Sequence, residues 1–358
     1  MMIHMKRDLA VMFRQSVTII KRLFLASAML VSALSATTAF AQDQDGVSYA
    51  SVIMYHRFGE DRYPSTNTTI EQLEAHIAYL QDGNYNIMPL QEIIYRFQSG
   101  QTVPDKTVAI TIDDAYLSVY ETGWPYFKDA NFPITLFVAT GPIDRGLRGY
   151  MNWDQLRELQ AQGVTIGSQT TTHPHMHRIS IDQVKEELAT SNERFINELG
   201  LRPDLFAYPY GEYNLNVIEA VKEAGFIAAF GQNSGIMHKD DLMFELPRFA
   251  FNETYGDIKR LALAANGLPL KVTQITPADM VITQNPPFYG FTLDEDMEPK
   301  RQLRCFSSRY GKLDVSLIGQ RAEIRLPGPL DGPRFRINCT MPARDGRWRW
   351  FGRQFLTR

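Results

Sequence analysis

The stretch Val108–Tyr116, VAITIDDAY, limits the possible folds more than any other part of the chain. A run of apolar and β-branched residues ends abruptly in two adjacent carboxylates, Asp113 and Asp114. The run reads as a strand buried on both faces, which is the habit of a parallel sheet. Folds of that kind bind ligands beyond the C-terminal ends of their strands. Adjacent residues there can turn to different tasks, one holding a metal while the other accepts a proton. One Asp would suffice to cap the helix that follows, LSVYETGWPYFKDA, and two exceed what a cap requires.

The surrounding sequence repeats this strand–helix alternation. Strands are expected at 51–55, 85–88, 108–112, 134–140, 164–167, 206–208 and 227–230. Helices are expected at 69–81, 90–98, 117–130, 153–162, 181–199, 214–224 and 258–265, with Gly83, Gly163, Gly200 and Gly225 as stops. About seven βα units suit an α/β fold of the irregular (β/α) barrel type, spanning 42–267. Beyond Asn266 the character changes to Pro, Gly and short alternating strands such as LDVSLI, RFRINCT and WRWFG. That pattern predicts a small all-β, sandwich-like domain over 268–358. Trp348 and Trp350 share one face of a strand there and are expected in the sandwich core.

The N-terminus is read as an export signal. Five Lys/Arg precede LFLASAMLVSALSATTAFA, and Ala39-Phe40-Ala41 gives a small-x-small cleavage site, so 1–41 is assigned to a signal peptide. Removal leaves 32 basic and 39 acidic side chains of the original 37 and 40, moving the net charge from −3 to −7. That balance excludes nucleic acid as a partner. A membrane would be met only through an uncleaved leader. In an exported chain, the sole cysteines Cys305 and Cys339 are expected to form a disulfide.

Three strand ends gather unusual residues: Asp113/Asp114, the segment 169–177, and 207–213. Three of the chain's seven histidines, His173, His175 and His177, fall within five residues. Two carboxylates beside clustered imidazoles suit a divalent metal, with zinc favoured by the donor types. A catalytic zinc keeps one position open for water and lowers that water's pKa to about 7.

These segments resemble the polysaccharide deacetylases, the NodB-homology group of carbohydrate esterase family 4. TIDDAY resembles the first family motif, GSQTTTHP the second and FAYPYG the third, while YHRF and LPRF are similar to the branch that includes poly-N-acetylglucosamine deacetylases. The resemblance covers about 51–265 and implies a NodB-type barrel. It implies a catalytic base at Asp113 and metal ligands at Asp114 and His173. It also implies an oxyanion donor at the Tyr210 amide and a general acid at His56. Tyr208, Pro209 and Gly211 are expected to line the substrate groove. The implied reaction removes N-acetyl or O-acetyl groups from a polysaccharide or oligosaccharide of the cell envelope or the exterior.

Two departures stand out. The first metal histidine of the motif is Gln169, a neutral ligand, and His177 or His175 could substitute for it. The motif's arginine, which orients the base, is Ala207; Arg248 in LPRF is a candidate replacement near the groove, and Arg202 is closer in sequence. These losses keep a second reading open, a catalytically impaired fold that binds glycan or protein.

Overall fold

The computed structural model describes residues 46–357; the assigned signal peptide lies outside them. Six parallel strands form the spine of a nine-stranded first sheet: Tyr49–Tyr55, Thr107–Asp113, Ile134–Val138, Thr165–Ser168, Leu205–Ala207 and Ala228–Phe230, paired in that order, with Asn86–Ile87 alongside Thr107 and Val108. All seven residues of Thr107–Asp113 are buried, as its unbroken apolar run requires.

The sheet curls toward closure through one irregular segment. Leu246 bridges Phe230 at the last strand, and Phe249–Ala250 pairs in parallel with Ile53 and Met54 of the first. Met237–His238 adds an antiparallel pairing on Tyr49 and Ala50. The last two strands are three residues each, too short for a regular eight-stranded barrel. The segment 246–250 therefore spans the gap, with Leu246 and Phe249 buried in different apolar clusters.

Several helix boundaries follow from their caps. Thr69 and Gln72 form a reciprocal capping box before Ile70–Asp82, and Ser180 and Gln183 do the same before Ile181–Leu199. Gly200 closes the latter helix at φ +70°. The single helix expected over 117–130 is instead a π turn, Val119–Gly123, followed by a short α-helix, Trp124–Asp129. Pro125 has no amide hydrogen to continue an α ladder. Gly123 also lies against the Phe58 ring, where a Cβ would come within 2.3 Å.

From Leu268 onward an eight-stranded sheet follows a single path. Its long strand Gly311–Ile318 changes partner along its length. Leu313 pairs with Cys305, whereas Asp314 to Ile318 pair with Arg325 to Arg321. The two halves close over a shared core that includes Tyr289, Phe291, Ile337 and Phe355. Cys305 and Cys339 are direct cross-strand neighbours and are joined by a disulfide.

This lobe packs against the barrel through the strand Trp348–Leu356. Trp350 meets Phe249 edge-on at 5.5 Å, Gln354 Nε2 donates to the Gly211 carbonyl at 3.1 Å, and Asn233 Nδ2 donates to the Gly352 carbonyl at 3.1 Å. The tryptophans are thus not sandwich core. Trp350 faces the barrel core and Trp348 stays 41% exposed, because this face of the strand looks outward from its own lobe.

Candidate active site

Asp113 is the last residue of its strand, and the next two residues reverse the chain. Asp114 (φ 76°) and Ala115 (φ 52°) both adopt left-handed backbone, and the Asp114 amide donates to the Phe137 carbonyl at 2.9 Å. The turn sends the neighbouring carboxylates to different surroundings. Asp113 is fully buried and accepts two parallel bonds from Arg248, Nη1 at 2.7 Å and Nη2 at 2.9 Å. Arg248 is itself fully buried, and its Nε donates to the Gly231 carbonyl at 3.0 Å. The sheet-closing segment delivers it there, so the guanidinium missing at Ala207 is supplied from the segment beyond the neighbouring strand.

Arg248 therefore grips Asp113, and its expected place among groove residues is corrected: it does not line the cavity, and its donors go to Asp113, Thr111 and the Gly231 carbonyl. Arg202, the nearer candidate in sequence, donates instead to the Ala224 carbonyl at the end of a helix.

Asp114 faces His173, with Oδ1 3.3 Å from Nε2. His173 has φ 58°, and its amide donates to Thr170 Oγ1 at 3.1 Å. The loop before it is folded onto Glu187. That carboxylate accepts from the amides of Thr171 and Thr172 and from the Thr172 hydroxyl at 2.6–2.9 Å. Sequence reasoning passed over Glu187, although an acid on the helix next to a run of three threonines was a usable signal. Tyr210, at φ 60°, sets its ring edge-on to His173 at 4.6 Å. Burial, with Asp114 and Glu212 nearby, raises the Tyr210 hydroxyl pKa.

Asp114, His173, Tyr210 and His56 all line one cavity of about 890 Å³. Its far wall comes from the second lobe and includes Phe306, Arg334 and Arg336. None of these three was singled out from sequence, because nothing local in a β-strand shows which lobe it will face.

Other expected residues lie elsewhere. His177 and His175 do not join Asp114; both turn to Glu212, with Nδ1 atoms 3.4 and 2.5 Å from Oε2. Burial lowers the His177 pKa against the opposing pull of Glu212. The His175 ring stacks on the other side of the arrangement, 4.1 Å from Tyr210. Glu212 also meets Arg334 of the second lobe at 3.3 Å. This buried acid was missed, though it directly follows the third motif.

Tyr208 is core rather than groove: it is fully buried against Phe206 and Tyr213, and its hydroxyl donates to the Phe244 carbonyl at 3.0 Å. Pro209 and Gly211 are also buried and do not line the cavity. Gly211 is required by packing, since at φ +67° a Cβ would sit 2.5 Å from the Gln232 amide nitrogen.

In a tetrahedral site with bonds of about 2.0–2.1 Å, neighbouring donor atoms stand roughly 3.3 Å apart. The Asp114–His173 separation of 3.3 Å matches that edge. The third place has no acid or imidazole: among the described residues no three His, Cys, Asp or Glu side chains are grouped to hold an ion. Gln169 is 1% exposed, follows the strand Thr165–Ser168, and both atoms of its amide lack a hydrogen-bond partner. An orphaned buried amide oxygen at a strand end of the same sheet suits a weak third donor. The residues thus supply one acid–imidazole pair at the spacing of two ligands and, at a neighbouring strand end, one buried amide with no other partner.

Residues 100–229 match the family model described as polysaccharide deacetylase. The YxkH protein of Bacillus subtilis (strain 168) is 25% identical over 197 residues, which cover 55% of this chain and 69% of YxkH. The poly-beta-1,6-N-acetyl-D-glucosamine N-deacetylase of Staphylococcus aureus (strain MRSA252) is 25% identical over 196 residues, 51% of this chain and 67% of that protein. Among solved structures, the Streptococcus pyogenes deacetylase PplD in complex with acetate superposes with a TM-score of 0.57 at 19% identity, over 61% of this chain and 98% of PplD. At that identity the likeness concerns the fold.

Proposed function

We propose that the chain, whose residues 100–229 match the polysaccharide deacetylase family model, is a hydrolase removing N-acetyl, or O-acetyl, groups from a cell-envelope or extracellular polysaccharide. The observation that carries this reading is the buried Asp113–Arg248 pair directly beside the cavity-lining Asp114–His173 pair. A solvent-facing cap or a structural ion pair would need only one of them.

Asp113 is the base. Each of its oxygens accepts one Arg248 N–H and keeps a lone pair for the proton of the attacking water. Asp114, His173 and Gln169 are the residues that would hold a divalent ion, zinc by donor type. Bound there, such an ion lowers the pKa of a coordinated water to about 7 and polarises the acetyl carbonyl. The Tyr210 amide, turned by its left-handed backbone, donates to the oxygen on which negative charge develops. His56, lining the same cavity, gives a proton to the leaving amine. An exported location outside the cytoplasm matches a polymeric substrate.

The rival, an impaired fold that only binds glycan or protein, loses half its support once Arg248 fills the function vacated at Ala207. It rests on Gln169 alone. Acetate release from acetylated glucosamine oligomers by zinc-loaded protein tests the proposal. Release that falls by about a hundredfold or more in Asp113→Asn supports it. A zinc-loaded protein that frees no acetate from any N- or O-acetylated glycan would hand the case to the rival.

A further inference from the structure

The cavity is far more basic than the chain that encloses it. Asp114 is the only carboxylate among its lining residues, against Arg145, Arg260, Arg334 and Arg336, in a chain of net charge −3. Of these arginines only Arg334 has an acid within ion-pair distance among the described residues, Glu212 at 3.3 Å. Arg336 bonds the Gln354 amide at 3.0 Å, and Arg260 bonds the Ala250 carbonyl at 3.3 Å. Arg145 is exposed at the other side of the cavity. Burial, and then the charge of Arg334, lower the pKa of Arg336, against the pull of Tyr255 and Glu212. Two exposed aromatic rings, Tyr255 (55%) and Phe306 (43%), stand on the same lining.

Unpaired guanidinium groups in a concave site attract anions and grip carboxylates or phosphates two bonds at a time. Exposed rings beside them offer flat apolar faces to sugar rings. We infer that this cleft takes an acidic acetylated glycan, one whose repeat carries carboxylate or phosphate groups, and that the second lobe reads the charge through Arg336. The inference rests on the deacetylase reading for the acetyl group and on the arginines for the anion.

Binding and acetate release are therefore measured separately on the intact protein. Hyaluronan oligosaccharides supply N-acetylglucosamine with carboxylates, a phosphodiester-linked N-acetylhexosamine polymer supplies phosphates, and chitin oligosaccharides of equal length supply neither. Calorimetry at low salt is expected to show at least one acidic ligand binding about tenfold or more tightly than chitin, with the gap closing in molar salt. Arg145→Gln and Arg336→Gln are each expected to weaken the acidic ligand by roughly threefold to tenfold and chitin far less. The salt dependence of the native protein stands whether or not either variant folds. Chitin binding as tightly as both acidic ligands at low salt overturns the inference, while acetate release from chitin would leave the deacetylase reading intact. An acidic preference without acetate release supports the inference and removes that reading.

Discussion

Arg248 and Asp113 are 135 positions apart and meet through two parallel bonds of 2.7 and 2.9 Å with neither side chain reaching solvent. A buried pair of this kind gains little over an apolar substitute, yet removing one partner strands the other's charge. Arg248→Met should therefore cost about 3–5 kcal/mol of unfolding free energy. The double variant Asp113→Asn with Arg248→Met should be less destabilised than the two single variants summed. Urea unfolding of all three reads this out, and additive costs would show that the pair is not coupled.

On the proposed reading, Gln169 is the weak third ligand of the ion site. Its amide is buried without a partner, at a strand end of the sheet that carries Asp114. Gln169→His replaces a neutral oxygen donor by an imidazole and should raise zinc affinity by about tenfold or more in a chelator competition. His173→Ala should abolish zinc retention instead. Equal zinc affinity in Gln169→His and the unaltered protein would show that residue 169 does not reach the ion.

The difference between what was and was not legible in the sequence follows from range. Buried runs such as Val108–Ile112 and caps such as Thr69 and Ser180 act within a few residues, so the βα alternation and most element boundaries could be read directly. The Asp113/Asp114 division of labour was also local, since it depends on one left-handed turn. Arg248 was one of two candidates because only sheet closure decides which arginine reaches Asp113. The pairing of His175 and His177 with Glu212 depends on two separate strand ends of the barrel meeting, and the cavity wall formed by Phe306 and Arg336 on how the two lobes dock. Tyr208 was misplaced because residues two apart share a face only while a strand continues; here the strand ends at Ala207 and the left-handed Tyr210 turns away from Tyr208 to the cavity.

Stability should fall on mild acidification. His76, His177 and His238 are buried, and burial lowers the pKa of each below its ordinary value of 6.5. Just below that value the unfolded chain holds more protons than the folded one. Stability then rises with pH through the window and is lost as pH falls through the lowered values. Melting temperature measured from about pH 7 down to about pH 5 should decrease, against the opposite pull of Asp241, whose carboxyl pKa is pushed up to about 6 by burial. The decrease should be shallower in His238→Asn, whose amide oxygen can still accept the Asp240 N–H that His238 Nδ1 now accepts. A flat profile would mean that these imidazoles titrate normally when folded.

Reducing the disulfide should weaken glycan binding as well as stability. Cys305 and Cys339 lie 34 residues apart, so opening the bond should cost about 3–4 kcal/mol in the chain-entropy account. The loss falls on a lobe whose residues next to the cysteines, Phe306 and Asn338, line the cavity. The barrel has its own core, built from Ile53, Ile110, Leu136 and Ile166 among others, and the Asp113–Arg248 pair lies within it. A Cys305→Ala, Cys339→Ala variant should therefore melt earlier and bind oligosaccharide more weakly, while zinc retention through Asp114 and His173 persists. Loss of zinc and of glycan in parallel would instead show that the two lobes unfold as one unit, and that the second sheet supports the metal ligands as well as the wall of the cleft.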